Sequence, residues 1–212
     1  MRKLVFENHE CYHVYNRGVD KRTVFHSPNH YRHFINTINR ILTTGSATPR
    51  LIYNQSQALN HNIDILAYCL MPNHYHFLVR QRSDAGVTRF MQQLNTSYTK
   101  YINLNQQRTG HLFEYAFKAK HIETDEQLLH VSRYIHLNPF LAGLVDTIEA
   151  YEWSSYPEFL RRRKRLFIKP NDILAHFADL SSYEQFVLDQ KEYAALLKKA
   201  KVEKQGEDGL FL

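Results

Sequence analysis

Two histidines two residues apart, His74 and His76, lie in the apolar run His74–Val79 (HYHFLV). Successive side chains of a strand point to opposite faces, so these imidazoles share one face while Tyr75, Phe77 and Val79 take the other, which is apolar enough to be core. Two neighbouring imidazoles form a two-point chelate for a divalent cation. The same spacing equally suits two surface or hydrogen-bonded histidines, and the pair alone does not decide between them. Ligating imidazoles must be neutral, so at the ordinary imidazole pKa of about 6.5 the chelate would weaken as the pH falls through that value.

A second constellation lies on a predicted helix. Thr124-x-x-Gln127 is a capping box, Asp125 and Glu126 favour the positive end of a helix, and Pro139 limits its far end. His130, Tyr134 and Asn138 follow at intervals of four and so fall nearly in line, beside an apolar stripe of Leu128, Val131 and Ile135. A phenol one turn from an amide oxygen that can ligate a hard cation is one reading of this face. The other is an amphipathic core tyrosine, with Asn138 preparing the turn at Pro139. His130 is a candidate general base by spacing, although a plain surface histidine suits it better.

Cations flank these motifs. Arg17, Arg80, Arg108, Lys118 and Lys120 are candidate phosphate contacts, and the run Arg161, Arg162, Arg163, Lys164, Arg165 could clamp a DNA stem. A solvated basic surface explains them as readily.

The elements that must position these groups read as follows. Cys11–Tyr15 predicts a short strand ended by a turn at Asn16-Arg17-Gly18. Ser27 and Pro28 open a helix with Phe34, Ile35, Ile38, Ile41 and Leu42 on its apolar side. A polar loop over 43–62 surrounds a short strand near Leu51–Tyr53. Ile63–Leu70 and His74–Val79 form a hairpin across Met71-Pro72-Asn73. A helix over Val87–Leu104 carries Phe90, Met91, Leu94, Tyr98 and Tyr101 at helical spacing, and Phe117–Ile122 is a further strand. Beyond Tyr156 the composition shifts to the basic run, a helical pattern over 171–199 and an acidic, glycine-containing end. Strand, helix, strand pair, helix, strand, helix predicts an α+β fold, an antiparallel sheet with helices packed on it. The boundaries are 1–156 for this domain and 157–212 for a basic, mostly helical C-terminal extension.

The bulk numbers agree. The chain has 212 residues, 43% hydrophobic and 23% charged, with 14 Tyr, 13 Phe and a formal net charge of +6. That suits a globular domain with a polyanionic partner. Cys11 and Cys69 form neither a disulfide framework nor a CxxC pattern and are expected to be buried thiols. No apolar run suits a signal peptide or a bilayer span, so a cytoplasmic, nucleoid-associated protein without membrane contact is expected.

Four motifs together resemble the single-tyrosine HUH transposases of the IS200-like type, in particular the REP-associated tyrosine transposases. They are YHVYNRG (Tyr12–Gly18), YCLMPNHYHFLV (Tyr68–Val79), TGHLF (Thr109–Phe113) and RYIHLNPFLAGLV (Arg133–Val145), and WSSY (Trp153–Tyr156) fits the same branch. The resemblance covers roughly residues 9–156. It implies a ferredoxin-like fold that cuts and joins single-stranded DNA at hairpins of palindromic repeats. It makes His74 and His76 ligands of Mg2+ or Mn2+, Asn138 the third ligand and Tyr134 the nucleophile. The chain departs from its relatives after TGHLF, where Glu114, Tyr115 and Ala116 stand in place of basic residues.

The chemistry implied is a phosphodiester exchange. The phenol of Tyr134 attacks phosphorus, leaving a 5′-phosphotyrosine and a free 3′-OH, and the reverse reaction rejoins strands without ATP. Two other classes compete with this reading. A domesticated DNA-binding protein would keep the fold without needing His74, His76 or Tyr134. A metal-dependent phosphohydrolase would use water as nucleophile and call for more carboxylate ligands. The oligomeric state, monomer or homodimer, is left open.

Overall fold

The computed structural model describes residues 4–44 and 62–189. Its order is β1 (Cys11–Arg17), α1 (Pro28–Thr44), β2 (Ile63–Met71), β3 (His74–Gln81), α2 (Gly86–Asn105), β4 (Lys118–Ile122) and α3 (Asp125–Leu141). The strands lie in the order β2-β3-β1-β4, and every neighbouring pair is antiparallel. A β-α-β-β-α-β run wound in this way is the ferredoxin-like arrangement.

The sheet separates two cores. On one face Tyr12, Val14, Tyr75, Phe77 and Val79 pack against Phe34, Ile35 and Ile38 of α1 and Phe90, Met91, Leu94 and Tyr98 of α2. On the other, Leu66, Ala67, Cys69 and Leu78 meet Leu128, Ile135 and Leu137 of α3, with Phe159, Ile173, Tyr183 and Val187 beyond it. Strict alternation would place Leu66 and Ala67 on opposite faces. A β-bulge between Ile65 and Ala67 turns both toward α3, and Tyr68 resumes the α1–α2 side. His74 and His76 therefore lie beneath α3, not beneath the two crossover helices.

Several local expectations differ in detail. β1 runs through Asn16 and Arg17, because Asn16 is not a turn residue but a buried one. Its Nδ2 donates to the carbonyls of Tyr115 at 2.8 Å and Ala116 at 3.1 Å, and its Oδ1 accepts from the Arg17 amide. The chain turns only after Gly18, where a Cβ would meet the Arg22 carbonyl at 2.4 Å. Pro72-Asn73 alone joins β2 to β3, since Met71 already pairs with His74. Thr124 caps α3, accepting from the Gln127 amide at 3.2 Å, while Gln127 Oε1 accepts from the Glu123 amide at 2.9 Å. Pro139 does not end α3: the helix continues to Leu141, and Gly143 at φ 69° closes it. A proline costs one amide donor and crowds the preceding turn, but so near the end little helix remains to be disturbed.

The helical pattern expected over 171–199 is broken into Asn171–Leu174 and a helix over 180–189, and its remainder lies outside the described residues, as does the strand expected near Leu51–Tyr53. Both cysteines are buried free thiols. Among the described residues no helix is long and apolar enough to cross a membrane.

Candidate active site

β3 and α3 meet over one cleft of about 420 Å³ whose lining includes His74, His76, Tyr134 and Asn138. His74 and His76 come from the start of β3, their rings 4.9 Å apart and at 89° to each other. Tyr134 comes down from α3, with its ring 5.5 Å from that of His76, and 40% of it is exposed. Asn138, one helical turn on, stands close enough to His74 and Tyr134 to shift the titration of both. The side chains thus converge although some sixty residues of chain, counted from the sequence, separate the two motifs.

The ring nitrogens are sorted by their partners. His74 Nδ1 lies 2.6 Å from Asn73 Oδ1, and Asn73 Nδ2 donates to the Lys21 carbonyl at 3.2 Å. The second bond fixes the amide orientation, so the Asn73 oxygen faces His74 and its Nδ1 must carry the proton. That leaves the lone pair of His74 on Nε2. His76 Nδ1 lies 2.9 Å from His13 Nε2, while His76 Nε2 is buried without a hydrogen-bond partner. An orphaned polar atom of this kind costs about 1–3 kcal/mol unless a ligand takes it up.

All three imidazoles are held neutral. Burial, helped by the charge of Lys120, brings His13 down to about 4. Burial also brings His74 to about 4 against its bond to Asn138, with Arg17 adding to the shift, and pushes His76 well below its ordinary value, helped by His13 and His74. The loss of ligand character expected near pH 6.5 therefore moves to a more acidic range. Tyr134 is shifted the other way: burial raises its phenol above the usual value, and its bond to Asn138 opposes the shift.

Two imidazole nitrogens and one amide oxygen fit a hard divalent cation that keeps its remaining positions for water and phosphate oxygen. The unpartnered His76 Nε2 is the observation that favours such an ion. Among the described residues no group of three or more His, Cys, Asp or Glu side chains could hold a metal ion.

Other expected residues scatter. Arg17 and Lys118 line the cleft, and Arg17 is paired with Glu114 at 2.9 Å. Lys120 is exposed on the same sheet face, opposite His13 in the β1–β4 register. Arg108 lines the neighbouring groove and donates to the His111 carbonyl. Arg80 is paired with Asp172, outside the cleft. His130 does not line the cleft either: it contacts Arg133 at 2.6 Å and faces the Phe186 ring. The reason is geometric, since each step of four residues overshoots a full helical turn by about 40°. The basic run is largely built into the fold, because Glu158, 5% exposed, holds Arg163 at 2.6 Å and Arg165 at 3.0 Å, and Arg162 reaches Glu184. Arg161 and Lys164 are exposed.

The sequence reading missed His13 and Asn73. Asn73 was visible as the residue before the first histidine. His13 was not, because it faces Leu78 in register and reaches His76 diagonally across the strand pair.

A ferredoxin-like sheet with a His-x-His pair beneath a tyrosine-bearing helix defines the class of this protein. The family profile described as IS200-like transposase matches residues 12–138, more than half of the chain and all four converging side chains. The chain belongs to that family. Among solved structures, a REP-associated tyrosine transposase bound to a REP hairpin is similar at TM-score 0.58 and 14% identity, covering 86% of this chain and 95% of that one. It shows the same fold. The tRNA(His) guanylyltransferase of Saccharomyces cerevisiae aligns over 89% of this chain and 80% of its own, at TM-score 0.40 and 10% identity. No curated protein sequence matches.

Proposed function

We propose that this transposase cuts and rejoins single-stranded DNA at hairpins of palindromic repeats, using Tyr134 as nucleophile and a divalent cation, Mg2+ or Mn2+, held by His74, His76 and Asn138. The convergence of Tyr134 with a buried, unpartnered His76 Nε2 carries this reading. The similar transposase bound to a REP hairpin suggests the form of the DNA.

Asn73 and His13 hold the two imidazoles in the tautomer that leaves each Nε2 lone pair available. Asn138 shares the cleft with His74 and the phenol of Tyr134. The bound cation would neutralise charge developing on the phosphate oxygens and ease loss of the phenolic proton. Tyr134 Oη forms a bond to phosphorus as the bond to the 3′-oxygen breaks; the phenolic proton leaves to solvent, and the 3′-oxygen takes one up to become a hydroxyl. The phosphotyrosine preserves the ester energy, so attack by a 3′-OH reverses the step. Arg17, Lys118 and Lys120 would take neighbouring phosphates, with Arg108 on the adjoining groove and Arg161 and Lys164 on the outer surface.

The test is cleavage of a labelled single strand bearing a palindromic-repeat hairpin, in Mn2+. His76→Ala is expected to abolish cleavage while largely sparing DNA binding. Full activity in that variant, or in excess chelator, contradicts the proposal.

A further inference from the structure

Among the described residues only two aromatic side chains are large, apolar and well exposed, Tyr134 at 40% and Tyr115 at 57%, and both line the same cleft. Tyr134 has a chemical role to explain its exposure. Tyr115 has none.

The Tyr115 backbone is held from several sides. Its carbonyl accepts from Asn16 Nδ2 at 2.8 Å, and the next carbonyl, of Ala116, accepts from Asn95 Nδ2 at 2.6 Å as well as from Asn16. On the preceding side, Glu114 donates its amide to the Arg17 carbonyl and pairs its carboxylate with the Arg17 guanidinium. A buried asparagine and an ion pair thus fix the backbone while the ring stays in solvent. The Lys118 ammonium lies 4.5 Å from the ring centroid.

Tyr115 also stands at a junction. Besides the cleft, it lines a neighbouring groove of about 800 Å³ whose walls include Arg22, Asn95, Thr99, Lys100 and Arg108. A groove with three cations, entered past an aromatic ring, complements a single strand whose bases are unpaired.

We infer that Tyr115 is the stacking platform for an unpaired base next to the scissile phosphate, with Lys118 taking that nucleotide's phosphate and the Arg22–Lys100–Arg108 groove carrying the strand away. The inference rests on the single-strand reading of the cleft. A ring held by a fixed backbone loses little freedom when a base stacks on it, and stacking tolerates any base because each has a π-face. Tyr115 would therefore supply affinity at the site while leaving sequence choice to other contacts.

The experiment uses the full chain, in chelator so that no strand is cut, and a short, random-sequence, fluorescein-labelled single-stranded DNA read by anisotropy at several salt concentrations. Tyr115→Ala is expected to weaken binding by about 5- to 100-fold with an unchanged salt slope, because stacking releases no counterions. Tyr115→Phe keeps the ring and is expected to bind like the wild type. Lys118→Ala is expected to reduce the salt slope by about 0.7, as one phosphate contact on a single strand requires. Unpaired 2-aminopurine in the same oligonucleotide is expected to be quenched by the wild type and by Tyr115→Phe, and not by Tyr115→Ala. Wild-type-like affinity and quenching in Tyr115→Ala overturn the platform alone. Absence of single-strand binding by the wild type overturns the reading of the cleft as well.

Discussion

His13 Nε2 lies 2.9 Å from His76 Nδ1, on neighbouring strands and buried beneath α3. One of these nitrogens must carry the proton. If His76 donates, its Nε2 presents a lone pair to the cleft; if His13 donates, a buried N–H is left there with nothing to accept it.

His13→Phe keeps the ring's packing beside Tyr134 but removes the acceptor. Mn2+ affinity, followed through the free-ion signal in electron paramagnetic resonance, is expected to fall about 10- to 100-fold. His13→Gln offers an amide oxygen in place of the imidazole nitrogen and is expected to recover most of the loss. Equal affinities for Phe, Gln and wild type would remove His13 from the metal site.

Burial of neutral histidines makes the fold sensitive to acid. His13 and His74 lie at about 4 in the folded chain and His136 at about 3, against about 6.5 when unfolded. Between those values the unfolded chain binds more protons, so stability rises with pH there and is lost as the pH falls below about 6.5. Each fully shifted histidine contributes at most about 1.4 kcal/mol per pH unit, and less for the half-buried His74. Urea unfolding in chelator is expected to show a clear loss between pH 7 and pH 5. A flat profile would mean that these rings are not held neutral.

The basic run divides into structural and exposed members. Arg163 donates to the buried carboxylate of Glu158 and to the carbonyl of Glu152 at 2.7 Å. Removing it leaves the buried Glu158 carboxylate with Arg165 as its remaining cation and frees the Glu152 carbonyl, and Arg163→Ala is expected to cost about 1.5–3 kcal/mol in urea unfolding. Arg161→Ala is expected to stay within about 0.5 kcal/mol, because its side chain is exposed. Equal costs at the two positions would contradict this division.

How much of this was legible in the sequence follows from the range of each interaction. The cap at Thr124, the hairpin across Pro72-Asn73 and the shared face of His74 and His76 depend on residues a few positions apart, and period and turn chemistry disclosed them. The diagonal from His13 to His76 depends on the register between β1 and β3, which no local pattern encodes. The pairing of Arg163 with Glu158 was hidden for another reason: a run of five cations reads as a DNA clamp or a solvated surface until burial of the Glu158 carboxylate is known. His130 is the exposed surface histidine that was the better reading, because a second step of four residues carries it off the line. Tyr134 and Asn138, one step apart, stayed together.

Tyr134 remains the center of the account, and its side chain allows a direct test. Purified protein is incubated with single-stranded DNA carrying a palindromic-repeat hairpin and Mn2+, then denatured and mapped by peptide mass spectrometry. The expected result is a covalent adduct whose nucleotide sits on Tyr134, absent from a Tyr134→Phe protein that folds and binds DNA like the wild type. An adduct that persists in Tyr134→Phe, or that maps to another tyrosine, contradicts the mechanism proposed.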